Sequence, residues 1–96
     1  MATPSLLSAD EVTAALGDLG GWTGDANAIE RTIECATFPA AIELVRRVAD
    51  AAEAMNHHPD IDIRWRTVRF NVSTHTAGGV TAYDIDLARQ IDALVQ

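Results

Sequence analysis

The order of periodicities along this chain predicts an α+β fold, α-β-β-α-β-β-α, in which a four-stranded antiparallel sheet carries three helices packed on one face. Three observations lead there. Apolar residues recur at helical spacing in three separate stretches. Between them lie two stretches that alternate, each with turn residues inside it, as hairpins do. Each helical stretch also opens on a hydroxyl residue suited to an N-cap. The uncovered face of such a sheet is expected to be polar.

Ser8 and Glu11 form the capping-box pattern, a hydroxyl followed three residues later by a carboxylate. Val12, Leu16 and Leu19 then supply an apolar stripe, and Gly20-Gly21 stops the helix. Trp22-Thr23 begins a short extended piece, and Gly24-Asp25-Ala26-Asn27 is turn chemistry. From Ala28 to Ala36 the chain alternates, with Ile29, Ile33 and Cys35 on one parity and Glu30, Thr32 and Glu34 on the other. Arg31 breaks that parity. Thr37 caps the second helix with Pro39 in its first turn; Phe38, Ile42, Val45, Ala49 and Ala52 form its stripe, and Pro59 bars continuation past about Asn56 or His57. A short strand near Ile61–Arg64, a turn around Trp65-Arg66-Thr67 and a longer strand with Val68, Phe70 and Val72 on one face make the second hairpin. After the Ala77-Gly78-Gly79 loop, Thr81 and Asp84 repeat the capping pattern, and Leu87, Ala88, Ile91, Leu94 and Val95 form the last stripe.

Composition narrows the function. Residues 1–96 are expected to be one small domain, with 48% apolar residues and no linker or repeat. A domain this short buries a limited fraction of its surface, which favours oligomerisation. The formal charge of −7, with seven scattered cations, disfavours direct nucleic-acid or membrane-surface binding. All seven cations are arginine, so lysine Schiff-base chemistry is excluded. The single Cys35 has no partner for an internal disulfide and reads as a small core residue. With no basic leader and no long apolar run, the protein is expected to be soluble and cytoplasmic.

Chemistry concentrates in one quarter of the chain, which holds all three histidines. Glu53 and His57 are spaced one helical turn apart, so a helix would put them on one face. A carboxylate and the negative end of the helix dipole both favour an imidazolium at that place, ready as a general acid. His58, the neighbour, is expected to point elsewhere, and Pro59 to fix the exit of the chain. His75 opens the glycine loop at a strand end, where reactive groups tend to sit. Taken one at a time these residues have plain structural uses. Glu53–His57 would be a surface pair worth roughly 0.2–0.5 kcal/mol, His58 a donor to helix-end carbonyls, His75 a solvated loop residue and Asp84 a cap. The combination is what argues for a site.

That combination resembles the pterin-4a-carbinolamine dehydratase family, also known as the dimerisation cofactor of a homeodomain transcription factor. The resemblance rests on Glu53, His57-His58-Pro59, Trp65, Ser73-Thr74-His75 and Gly79-Val80-Thr81-Ala82-Tyr83-Asp84, with Gly21-Trp22 ahead of the first hairpin. Val80 stands where leucine is usual, and the first twenty residues match only in character. The resemblance implies dehydration of 4a-hydroxytetrahydropterin to the quinonoid dihydropterin, with no metal and no organic cofactor. It implies acid–base roles for His57 and His75, with Glu53 orienting His57. Substrate binding would fall to His58, Pro59, Ser73, Thr74 and Asp84, with Trp22 walling the pocket and Trp65 either sharing that task or packing in the core. Homodimers or homotetramers, and a functional link to an aromatic amino-acid hydroxylase, are implied too. Rival readings are a metal site built from the histidines with Glu53 and Asp84, a non-catalytic protein-binding module, and activity on another pterin.

Overall fold

A computed structural model describes residues 4–95. Its elements follow the expected order: α1 (Ala9–Gly17), β1 (Thr23–Gly24), β2 (Ile29–Glu34), α2 (Phe38–Met55), β3 (Asp60–Arg64), β4 (Thr67–Val72) and α3 (Ala82–Leu94). Both capping boxes form. Ser8 and Glu11 exchange side chain–backbone hydrogen bonds, and so do Thr81 and Asp84. Thr37 caps α2 by accepting from the amide of Ala40, with Pro39 in the first turn. The first helix stops at Gly17, before the glycine pair, and irregular turns carry the chain on to Leu19 and Trp22.

The four strands form one antiparallel sheet in the order β1-β2-β4-β3. Residues directly opposite each other share a face. Ile29, Arg31 and Ile33 therefore line up with Val72, Phe70 and Val68, and the last two with Ile61 and Ile63. This row faces the helices, and Ile29, Val68, Phe70 and Val72 are almost wholly buried there. The other row is polar throughout: Glu30, Thr32 and Glu34 beside Asn71, Arg69 and Thr67, then Asp60, Asp62 and Arg64. The ion pair Arg69–Glu30 joins β4 to β2 on this face, and Arg64–Asp62 runs along β3.

Two sequence expectations change here. Arg31 does not break the strand's parity. It occupies the inward row, and its guanidinium pairs with Asp92 of α3. A charge on that face is tolerated because the partner is in place. The indole of Trp22, only 4% exposed, donates to the same Asp92 carboxylate at 2.7 Å. On α2, the stripe that packs inward is Ala41, Leu44, Val48 and Ala52. Of the expected stripe, Phe38, Ile42 and Ala49 are exposed. The helix carries two neighbouring apolar stripes, and periodicity alone could not say which one meets the sheet.

The register brings the chemistry to one end of the sheet. Asp60 of β3 pairs with Asn71 of β4, so the segment entering β3 lies beside the segment leaving β4. His57, His58 and Pro59 precede the first strand, while Ser73, Thr74 and His75 follow the second. The 74–79 loop is closed by a bridge between Thr74 and Gly79. Gly79 has to be glycine, since a Cβ there would lie 2.5 Å from the Ala26 carbonyl oxygen of the β1–β2 turn. Val80 donates to that same oxygen, which locks the loop against the first hairpin.

Candidate functional site

Helix α2 ends at Asn56, whose backbone is left-handed with φ 52°. The amide of His57 bonds the carbonyl of Ala52 and the amide of Asn56 that of Glu53, the paired bonds of a Schellman motif. Asparagine tolerates this conformation better than most residues. The chain therefore turns off the helix axis before either histidine, and the one-turn spacing of Glu53 and His57 no longer puts them on a common face.

The expected partnership is replaced by two others. The Nε2 atom of His57 lies 2.6 Å from Oδ1 of Asp84, on α3. Nε2 of His58 turns back to Glu53 Oε2, at 3.0 Å. The environments differ sharply. The His57 and Asp84 side chains are 12% and 0% exposed, those of His58 and Glu53 55% and 80%. The first pair works in a low-dielectric setting, and the second is screened by water. The expectation that Glu53 orients His57 is thus corrected: Asp84 holds His57, and Glu53 holds His58.

Asp84 is itself held from behind. Its Oδ2 accepts from the Thr81 amide and from the Thr74 hydroxyl, each at 2.8 Å. The ring of Tyr83 meets His57 edge-on, with centroids 5.8 Å apart. Asn56, His57, His58, Ser73, Thr74, His75 and Thr76 line an open cleft of about 300 Å³. All three histidines thus reach one cavity, although they come from two separate segments. Ser73 donates its hydroxyl to the Asn27 carbonyl. His75 is exposed on its loop.

Other expected members stand apart. Trp22 lies in the core against Asp92, eight residues along α3 from Asp84, or about 12 Å of helix rise. It does not line the histidine cleft. Trp65 is 72% exposed at the tip of the second hairpin, where φ is 53° and Arg66 covers its ring. It neither packs in the core nor walls the cleft. Pro59 is half-buried beside the site without lining it. Among the described residues, no three His, Cys, Asp or Glu side chains gather as a metal-holding group. Sequence reasoning missed Asn56, Thr76, Tyr83 and the second role of Thr81. An asparagine directly before His-His-Pro was the available signal for the left-handed turn.

The fold and the gathered histidines define a class: a small α+β domain with an imidazole-lined cleft where α2, β4 and α3 meet at one end of the sheet. The family model described as pterin 4 alpha carbinolamine dehydratase matches residues 5–94. A protein of Nocardia farcinica, carried under the provisional name pterin-4-alpha-carbinolamine dehydratase, is 60% identical over 98% of this chain and 99% of its own length. A Roseiflexus castenholzii protein with the same provisional name is 53% identical over 95% of this chain and 98% of its own. A crystal structure of a transcriptional coactivator/pterin dehydratase from Brucella melitensis superposes with a TM-score of 0.90 at 32% identity, covering 94% of this chain and 98% of that one. The chain belongs to the pterin-4-alpha-carbinolamine dehydratase family.

Proposed function

We propose that the protein dehydrates 4a-hydroxytetrahydrobiopterin to quinonoid dihydropterin by histidine acid–base catalysis, in the recycling of tetrahydrobiopterin after an aromatic amino-acid hydroxylase. The observation that carries this reading is the convergence of three histidines on one cleft, one of them backed by a buried carboxylate. The reaction breaks the C4a–oxygen bond and removes the N5 proton, and the hydroxyl leaves as water. A poor leaving group needs a proton as it departs, and N5 needs an acceptor. His57 and His75 are assigned these proton transfers, and His58 the binding of the pterin. Because C4a is a stereocentre, two imidazoles on separate segments can serve the two epimers from different sides.

Kinetics on four variants test the assignment. His57→Ala and His75→Ala should each lower kcat, within the roughly 10²–10⁴-fold that acid–base groups contribute. His58→Ala should act chiefly on KM. The double variant His57→Ala/His75→Ala should be nearly inactive yet folded by circular dichroism. Near wild-type kcat in the folded double variant refutes the assignment.

The reading extends to a cytoplasmic homo-oligomer. No described helix is long and apolar enough to cross a membrane. Among the described residues, strand β3 has a strand neighbour on one side only, and an open edge needs cover. Ile61 and Ile63 on that strand are each 37% exposed, and Phe38 and Ile42 on α2 are more so. A second copy joined at β3, and further copies on the α2 stripe, would cover both.

A further inference from the structure

Thr74 was expected to bind substrate, but its polar atoms are already spoken for. The residue is 5% exposed. Its amide donates to the Gly79 carbonyl at 2.9 Å, and its own carbonyl accepts from Ala77, Gly78 and Gly79. The hydroxyl lies 2.8 Å from Asp84 Oδ2 and 2.7 Å from the Thr81 hydroxyl. A carboxylate oxygen can only accept, so the single Thr74 proton goes to Asp84. The Thr81 hydroxyl must then donate to Thr74, while it accepts from the Tyr83 amide at 3.3 Å. The proton order is Thr81 to Thr74 to Asp84, and each hydroxyl is used as both donor and acceptor.

The hydrogen-bond chain continues to the histidine. Oδ2 of Asp84 is filled by Thr74 and the Thr81 amide, which leaves Oδ1 to face His57. Nε2 of His57 must carry the proton in that bond, so Nδ1 is the nitrogen without a hydrogen-bond partner among the described residues. The other titratable groups around the ring are Tyr83 on α3, His75 across the cleft, and the His58–Glu53 pair at the end of α2. None of them donates to Asp84.

We propose that Thr74 is a positioning residue: with the Thr81 hydroxyl behind it, it fixes the Asp84 carboxylate so that His57 is held as the Nε2–H tautomer and works through Nδ1. The Thr74 backbone also anchors the loop that carries His75, so one residue touches both imidazoles' supports: the hydroxyl acts on the His57 side through Asp84, the amide and carbonyl on the His75 side. This rests on the acid–base reading of His57 given above, and the test separates the two.

Thr74→Val keeps the shape and removes the hydroxyl, while Thr74→Ser restores it. Nitrogen-15 NMR of the neutral His57 ring reports its tautomer without reference to turnover. The wild type and Thr74→Ser should show a single Nε2–H form. Thr74→Val should show both tautomers and a kcat lower on the order of tenfold or more, as misplaced groups produce. A single Nε2–H form in folded Thr74→Val overturns the proposal, whatever its kcat. Mixed tautomers with an unchanged kcat support the positioning role and overturn proton transfer by His57 instead. Should Thr74→Val fail to fold by circular dichroism, Thr74→Ala is read in the same two measurements with the same outcomes decisive.

Discussion

Replacing Asp84 by asparagine tests how much of the site depends on one buried carboxylate. The change keeps the side-chain shape but turns one acceptor into a donor. If the amide oxygen takes the Oδ2 place, it still accepts from the Thr81 amide and the Thr74 hydroxyl. The NH2 group then faces Nε2 of His57, which must become an acceptor and move its proton to Nδ1. In the opposite orientation the NH2 group meets two donors in a site with no exposure, which is worse. The first arrangement therefore prevails. Bonds to a charged group contribute about 1.5–3 kcal/mol against about 0.5–1.5 for neutral ones, so weakening two of them costs about 2–3 kcal/mol. For a domain of this size, about 2 kcal/mol lowers Tm by roughly 8–16 °C. Turnover should fall by about 10²–10⁴, because the ring is held in the wrong tautomer. Thermal melts by circular dichroism and steady-state dehydration of 4a-hydroxytetrahydropterin supply the two readouts. A variant that melts within about a degree of the wild type and keeps its kcat would show that Asp84 neither supports this corner nor orients His57.

Three other outcomes follow from the same geometry. Glu53→Gln should leave kcat nearly intact and alter KM by no more than about fivefold, since Glu53 meets the exposed His58 and such pairs contribute about 0.2–1 kcal/mol; a hundredfold loss of kcat would return Glu53 to His57. Multi-angle light scattering at micromolar concentration should show a dimer or tetramer, and Ile61→Arg should shift it toward monomer; a wild type that is monomeric throughout removes the assembly reading. Chelator treatment should leave turnover unchanged if imidazoles move the protons, whereas a loss restored by one particular divalent ion would favour a metal site.

The features legible in the sequence are largely local. Hydroxyl caps at Ser8, Thr37 and Thr81 mark the helix starts because the groups they satisfy lie within three residues. Alternation in 28–36 and 67–72 fixes which strand faces meet the core, because a one-residue slip would expose every apolar side chain. The gathering of the histidines was also legible, since hairpin pairing must bring the entry to β3 beside the exit from β4. Tertiary structure decided the partnerships. Arg31 looks misplaced until Asp92, distant in sequence, arrives beneath it. The buried stripe of α2 was settled by the sheet it packs on, not by its period. Most of all, the left-handed turn at Asn56 swings His57 to Asp84 and returns His58 to Glu53. Helical spacing predicts neighbours only while the helix lasts, and this one ends before the first histidine.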